Sequence, residues 1–121
     1  MNLRNTFGDP DFVTEQIDGI PVIRVNILRA TLKEVKSFKQ IFDSLITANH
    51  HKIIVDFSEC HFADSAIIGV IITVAKQLRN HNGDIRAVTP PGSIDNIFAV
   101  TGLSKIIIRY KTLEEALASF S

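Results

Sequence analysis

The sequence is poor in the features that most directly suggest a function. It has a single cysteine, Cys60, so no internal disulfide can form and a reducing compartment is the simplest assumption. Its 13 basic and 13 acidic residues give no net charge, which removes a general attraction to nucleic acid or to anionic membranes. No apolar run reaches the roughly 18 residues of a membrane span, and the segment after Met1 lacks a signal-peptide core. We therefore expect a cytoplasmic protein with no nucleic-acid partner and no direct membrane insertion.

The residue patterns of common enzymes and metal sites are also missing. Ser65 is not part of a Gly-x-Ser-x-Gly elbow, and neither a glycine-rich phosphate loop nor a His-Glu-x-x-His sequence occurs. Four side chains of metal-binding type lie in one segment: His50, His51, Cys60 and His61. If residues 51–60 are largely extended, at about 3.3 Å per residue their ends are on the order of 25 to 30 Å apart. We therefore expect no metal site, no cofactor and no enzymatic activity.

The apolar pattern that is present predicts one α/β domain. A chain of 121 residues that is 45% hydrophobic suits one core and is too short for two domains. Apolar runs on both sides of Asp18-Gly19 predict an N-terminal antiparallel hairpin. From about residue 51 strands and helices alternate, which favours parallel βα units with right-handed crossovers. We expect a mixed sheet with about four helices over residues 12–120, preceded by an N-terminal extension of residues 1–11.

Helix signals and strand patterns locate the elements of this domain. The helix starts are marked by the capping boxes at Thr31 and Thr112, by the N-cap residue Asp64, and by Pro91 in a first turn. Strands are predicted over residues 53–57, 85–88 and 105–110. Gly69 lies inside the helix that begins at Asp64, where glycine costs about 1 kcal/mol relative to alanine. We expect close packing against a neighbouring element to compensate for it.

The junction between the central strand and the helix that follows carries a candidate switch. The Asp64 carboxylate can accept hydrogen bonds from orphan amides one turn on, and it suits the positive end of the helix dipole. Ser65 then falls in the first turn, near the surface, where a phosphate would lie among free backbone amides. The alternative interpretation is an ordinary helix cap with no function. The switch hypothesis requires Ser65 to be accessible to solvent.

Several motifs follow one another in an order that is typical of a known family. They are Asp64-Ser65-Ala66, an apolar helix with Gly69, Asn82-Gly83-Asp84, Pro91, Val100-Thr101-Gly102-Leu103 and Thr112-Leu113-Glu114-Glu115-Ala116-Leu117. In this order they resemble the STAS domain, the sulfate-transporter and anti-sigma-factor-antagonist family, over roughly residues 12–120. In its stand-alone bacterial members the serine directly after this aspartate is the phosphoacceptor. The resemblance places that role on Ser65.

The resemblance implies a protein-interaction module that is switched by phosphorylation. The unphosphorylated family member binds an anti-sigma factor that is also a serine kinase, and so displaces the sigma factor. Phosphorylation abolishes this binding, and a metal-dependent serine phosphatase restores it. The partner-binding surface implied for this chain comprises Asp64, Ser65, Ala66, Ile67 and Ile68. Two alternatives stay open: an adaptor subunit of an ABC-type lipid or solute transporter, and a sensor of a nucleotide or lipid near the Asp64 helix end.

Two segments depart from the family pattern. Ile67 replaces the first glycine of the usual Asp-Ser-Ser/Thr-Gly-Leu-Gly, so it either contacts an adapted partner or blocks a typical kinase. The usual Gly-Glu-Leu/Ile-Asp segment corresponds to Arg29-Ala30-Thr31-Leu32, which carries no acidic group. Because a carboxylate near the phosphoacceptor is missing, either the partner kinase is divergent or the switch has been lost.

Overall fold

The structure, a computed structural model, describes residues 10–121. The strands are β1 (Phe12–Ile17), β2 (Ile20–Val25), β3 (Arg29–Ala30), β4 (Lys52–Asp56), β5 (Phe62–Ala63), β6 (Asp84–Val88) and β7 (Ile108–Tyr110). The helices are α1 (Val35–Thr47), α2 (Ser65–Arg79), α3 (Ser93–Thr101) and α4 (Leu113–Ala118), with 3-10 turns at Leu32–Glu34 and Leu103–Lys105. Most of the predicted N-terminal extension, residues 1–9, lies outside the described residues.

The main sheet has five strands in the order β1-β2-β4-β6-β7. The β1–β2 pair is antiparallel and the other pairs are parallel, which confirms the predicted mixed sheet. Asp18 and Gly19 both have positive φ angles, 52° and 79°, as the tight turn of the predicted hairpin requires. A second sheet of two short parallel strands, β3 and β5, was not predicted, because two-residue strands have no periodic sequence pattern.

The two faces of the main sheet bury different helices. Alternate residues of a strand point to opposite faces, so the central strands β2, β4 and β6 contribute to two cores. Helices α1, α2 and α3 pack on one face in the larger core, and the short α4 packs on the other around Ala116. Strand residues of the larger core include Ile23, Ile53, Val55, Ile85 and Ala87, and those of the smaller core are Val22, Ile54 and Val88. The predicted four helices therefore cover both faces of the sheet.

Two predicted boundaries are wrong. Pro91 lies before α3 rather than in its first turn, because Gly92, with a φ angle of 148°, is the N-cap residue. The backbone of Gly92 is in a conformation that favours glycine over other residues. Strand β7 begins at Ile108 rather than at Lys105, because the chain after Gly102 first forms a 3-10 turn that buries Leu103. None of the helices in residues 10–121 is long and apolar enough to cross a membrane.

Gly83 is required by a close approach of two backbone segments at the start of β6. A Cβ atom added to Gly83 would lie 1.8 Å from the carbonyl oxygen of His51, at the entrance to β4. The same carbonyl accepts a hydrogen bond from the amide of Asp84 at 2.9 Å, so the two segments cannot separate without losing it. At Gly69, in contrast, an added Cβ atom would meet no heavy atom within 4 Å, and the expected close packing there is wrong.

We predict opposite effects for alanine at these two glycines. Gly83→Ala should lower the free energy of unfolding by about 1 to 3 kcal/mol, because the new methyl group overlaps backbone atoms. Gly69→Ala should raise it by up to about 1 kcal/mol, because alanine is the better helix residue and the space is open. Urea unfolding followed by circular dichroism measures both values. Equal effects of the two substitutions would contradict the packing described for these sites.

Candidate functional site

The small β3–β5 sheet positions the loop that leads into α2. Strand β5 lies between the end of β4 and the start of α2, and it pairs with β3 in the register Ala30↔Ala63. The amide of Asp64 donates a hydrogen bond to the carbonyl oxygen of Ala30 at 3.1 Å, which extends this pairing to the start of α2. The segment of β3, which departs from the family pattern in sequence, is therefore adjacent to the start of α2.

The Asp64 carboxylate binds three backbone amides from two segments. Its Oδ1 atom accepts hydrogen bonds from Ala66 and Ile67 at 3.1 Å each, which confirms the predicted N-cap. Its Oδ2 atom accepts a hydrogen bond from the amide of Leu32 at 2.8 Å. This second bond was not predicted, because it joins residues 32 positions apart. One carboxylate thus ties the start of α2 to the turn that precedes α1.

Ser65 is the first residue of α2, and its side chain is exposed to solvent. The sequence predicted that a phosphate on Ser65 would lie among free backbone amides. This is wrong for Ala66 and Ile67, whose amides are already bound to Asp64. A phosphate on Ser65 would therefore lie beside a carboxylate that occupies the anion-binding position of the helix end. It would be directed towards solvent, and a protein bound at this surface would meet its charge.

The structure corrects part of the predicted partner-binding surface. Asp64 and Ala66 are half-buried and Ser65 is exposed, so these three residues remain available to a partner. Ile67 has no exposed surface and Ile68 is 8% exposed, so neither side chain can contact a partner in this fold. Ile67 points into the core with Ile71, as residues four apart on one helix face do. It is a core residue, and the hypothesis that Ile67 itself contacts or blocks a partner is wrong.

The β3 segment, which pairs with the strand that leads to Ser65, exposes apolar and basic side chains. Leu28 and Leu32, at the two ends of the β3 segment, are 63% and 72% exposed. Between them the exposed Arg29 places its guanidinium 4.3 Å from the ring centroid of Phe62, a cation–π contact between β3 and β5. The position where the family has an acidic segment therefore presents a cation and two large apolar side chains.

A cleft of about 260 Å³ opens near this surface, at the carboxyl ends of β4 and β6. Its lining includes Ser58, Cys60, His61, Pro91 and Ser93, but neither Asp64 nor Ser65. The Cys60 sulfur lies 3.3 Å from the carbonyl oxygen of Phe62, and burial raises the pKa of its thiol. The cleft is thus separate from the helix end at which the ligand-sensor hypothesis places its pocket.

The candidate metal ligands do not form a cluster. Within residues 10–121, no three side chains of histidine, cysteine, aspartate or glutamate are grouped so that they could hold a metal ion. His51 instead stacks on His81, with ring centroids 5.0 Å apart. Cys60 is buried beside the carbonyl groups of Leu28 and Phe62.

The chain belongs to the STAS domain family, whose model matches residues 11–116. A candidate anti-sigma factor antagonist of Thermotoga neapolitana is 29% identical over 79 residues, which are 65% of this chain and 70% of that protein. The crystal structure of a candidate anti-sigma factor antagonist of Thermotoga maritima has a TM-score of 0.81 and 24% identity, over 89% of this chain and 92% of that one. The phosphorylated form of the Bacillus cell-fate determinant SpoIIAA has a TM-score of 0.70 and 21% identity, over 91% and 99%. These structural similarities concern the fold.

We predict that Asp64→Asn keeps the helix cap but breaks the bond to Leu32. The amide oxygen of asparagine can still cap Ala66 and Ile67, but its NH2 group would face the donor of Leu32. The free energy of unfolding should fall by about 1 kcal/mol, and the Leu32 amide should exchange with solvent faster while that of Ile67 stays protected. Hydrogen exchange followed by NMR measures this, with Asp18→Asn in the β1–β2 turn as the control. Unchanged protection of Leu32 would contradict the bond.

We also predict that Cys60 reacts slowly in the folded protein. Because burial raises the pKa of the thiol, alkylation at pH 8 should be at least about tenfold slower in the native than in the denatured protein. The raised folded-state pKa contributes stability below about pH 8.5, the pKa of an unfolded cysteine, and the contribution is lost as the pH rises above it. Mass spectrometry after timed iodoacetamide treatment measures the rates. Equal rates in buffer and in urea would show that the thiol is accessible.

Proposed function

We propose that this protein is a phosphorylation-switched interaction module of the anti-sigma factor antagonist type. In its unphosphorylated form it binds an anti-sigma factor that is also a serine kinase, and a metal-dependent serine phosphatase reverses the modification. The observation that carries the proposal is the position of Ser65: an exposed hydroxyl on the first residue of α2, beside the Asp64 carboxylate, which already binds three amides. The names of the relatives and the phosphorylated form of the similar SpoIIAA support the same role.

Charge explains how the modification would act on binding and not on folding. A phosphate adds about 1.5 to 2 negative charges at neutral pH. Beside the Asp64 carboxylate this charge is directed outward, and a partner that covers Ser65 would have to remove water from both groups. An unfavourable change of about 3 kcal/mol weakens affinity more than a hundredfold, which is sufficient for a switch.

Arg29 gives a positive charge to the segment that is acidic in the family. Its guanidinium is held against the Phe62 ring, next to the segment that ends in Asp64. A partner adapted to this chain would therefore carry acidic groups where a typical family partner meets an acidic segment. This favours a divergent partner kinase over a lost switch. The transporter adaptor and the ligand sensor are alternatives that the identity of the bound partner would separate.

The test is the affinity of the partner for variants at Ser65. Ser65→Ala should bind as the wild type does, and Ser65→Glu should bind at least about tenfold more weakly, because one negative charge reproduces part of the effect of a phosphate. Ser93→Glu is the matched control, since it places the same charge on the exposed first residue of α3. Isothermal titration calorimetry with the kinase partner measures the affinities.

Phosphorylation of Ser65 by the same partner, detected by mass spectrometry, tests the covalent step. The kinase transfers the terminal phosphoryl group of ATP to the Ser65 oxygen: the new P–O bond replaces the bond to the bridging oxygen of ATP, ADP leaves, and the hydroxyl proton is released. Equal affinities of the wild type, Ser65→Glu and Ser93→Glu, or phosphorylation at another serine, would contradict the proposed function.

A further inference from the structure

Helix α2 contains a glycine that its own fold does not explain. Gly69 lies in the helix interior, where glycine is among the least favourable residues. An added Cβ atom would meet nothing within 4 Å, so no neighbouring element of the described structure requires its absence. Its backbone is half-buried and faces open space between α1 and α2. What glycine provides at this position is room on the surface of the helix.

That room is part of a groove between α1 and α2 with a volume of about 340 Å³. Its apolar lining includes Val35, Ala66, Gly69 and Val70, and polar side chains such as Lys39 and Gln77 lie along it. From Ala66 to Gln77 the groove follows α2 for about 16 Å, at 1.5 Å per residue. Because it begins at the residue after Ser65, it continues directly from the proposed switch.

The groove is flanked by positive charge. Residues 65–75, the first eleven of α2, include no charged side chain. Lys39 of α1 lines the groove, and two further exposed lysines, Lys33 and Lys36, lie on the 3-10 turn and the first turn of the same helix. Two half-buried carboxylates lie nearby, Glu34 and Asp64, and both keep their negative charge because the groups that they bind are neutral. Asp43 also lines the groove. The three exposed lysines outnumber the two carboxylates beside Ser65, so this end of the groove has an excess of positive charge.

We propose that the α1–α2 groove receives an amphipathic helix of the partner protein, with apolar side chains over Gly69 and acidic side chains towards Lys33, Lys36 and Lys39. The shape favours this occupant, because a groove between two helices, about three turns long, fits a third helix. The charge favours an acidic one. The inference rests on the proposed function for the nature of the switch: a phosphate on Ser65, at the mouth of the groove, would repel the acidic helix.

Site-specific photocrosslinking in the native cell tests what occupies the groove. Gln77→p-benzoylphenylalanine places the probe at the edge of the groove, and Ser44→p-benzoylphenylalanine places it on an exposed position of α1 that does not line the groove. A crosslink from position 77 and not from position 44, to a peptide of another protein with apolar residues at helical spacing between acidic ones, supports the proposal. No crosslink, or one to a second copy of this chain or to a lipid, overturns it.

Affinity measurements with the captured protein then test the role of Gly69. Gly69→Leu fills the groove and should weaken binding at least about tenfold, whereas Ser44→Leu, with the same side chain outside the groove, should bind as the wild type does. Gly69→Ala should raise the melting temperature by a few degrees, because alanine is the better helix residue. It should nevertheless weaken binding, because its methyl group occupies part of the groove. Binding should also weaken as salt is raised. Unchanged affinity of Gly69→Leu overturns the groove as the docking site.

The experiments can contradict the docking groove and the phosphorylation switch independently. If Gly69→Leu weakens binding but Ser65→Glu does not, the groove holds and the proposed phosphorylation switch is wrong. If Ser65→Glu weakens binding but Gly69→Leu does not, the switch holds and the partner docks elsewhere.

Discussion

The candidate site depends on the three hydrogen bonds that the Asp64 carboxylate accepts from backbone amides. Its two oxygens bind amides of Ala66 and Ile67 in one helix and of Leu32 before another. The β3–β5 pairing and the Arg29–Phe62 contact hold the β3 segment to this region, and the Leu32 bond extends the attachment to the turn before α1. With it, the starts of α1 and α2 are fixed relative to each other. The groove between them, and the surface beside Ser65, therefore have a defined shape.

The same bonds determine how a modification of Ser65 would act. A helix N-terminus normally attracts an anion, and a phosphate could stabilise the helix there. In this chain the carboxylate already takes that position, so added phosphate charge gains little from the helix and is presented to solvent. A phosphate would therefore leave the helix cap in place. Under the proposed function its effect would fall on binding and not on folding.

Helix α2 serves the core with one face and remains open on another. Its buried residues follow the helical period and pack against the sheet and the neighbouring helices. Ile67 belongs to this buried face, so replacement of the usual glycine by isoleucine is a matter of core packing. Gly69 and Ala66 belong to the open side, where their small size leaves a groove beside α1. The position that differs from the family and the glycine that lines the groove are thus on different faces.

The sequence by itself determined the fold class, the hairpin, the four helices and the cap at Asp64. These follow from local signals: apolar periods of two or 3.6 residues, the Asp-Gly turn, and capping residues at fixed offsets. It also indicated an exposed Ser65, because the first turn of a helix is fixed by its cap. Local patterns could not show that Ile67 is fully buried, since α2 is apolar on more than one side and the pattern does not say which side faces the sheet.

Tertiary structure decided the rest, because it brings together residues far apart in the chain. The β3–β5 pairing, the Leu32–Asp64 bond and the Arg29–Phe62 contact each join positions more than 30 residues apart. The fold requires glycine at position 83, where the backbone of His51 lies opposite, but not at position 69, where none of residues 10–121 does. A glycine looks the same in sequence whether a carbonyl group or open space faces it. The surface that surrounds Ser65 is therefore a property of the folded chain.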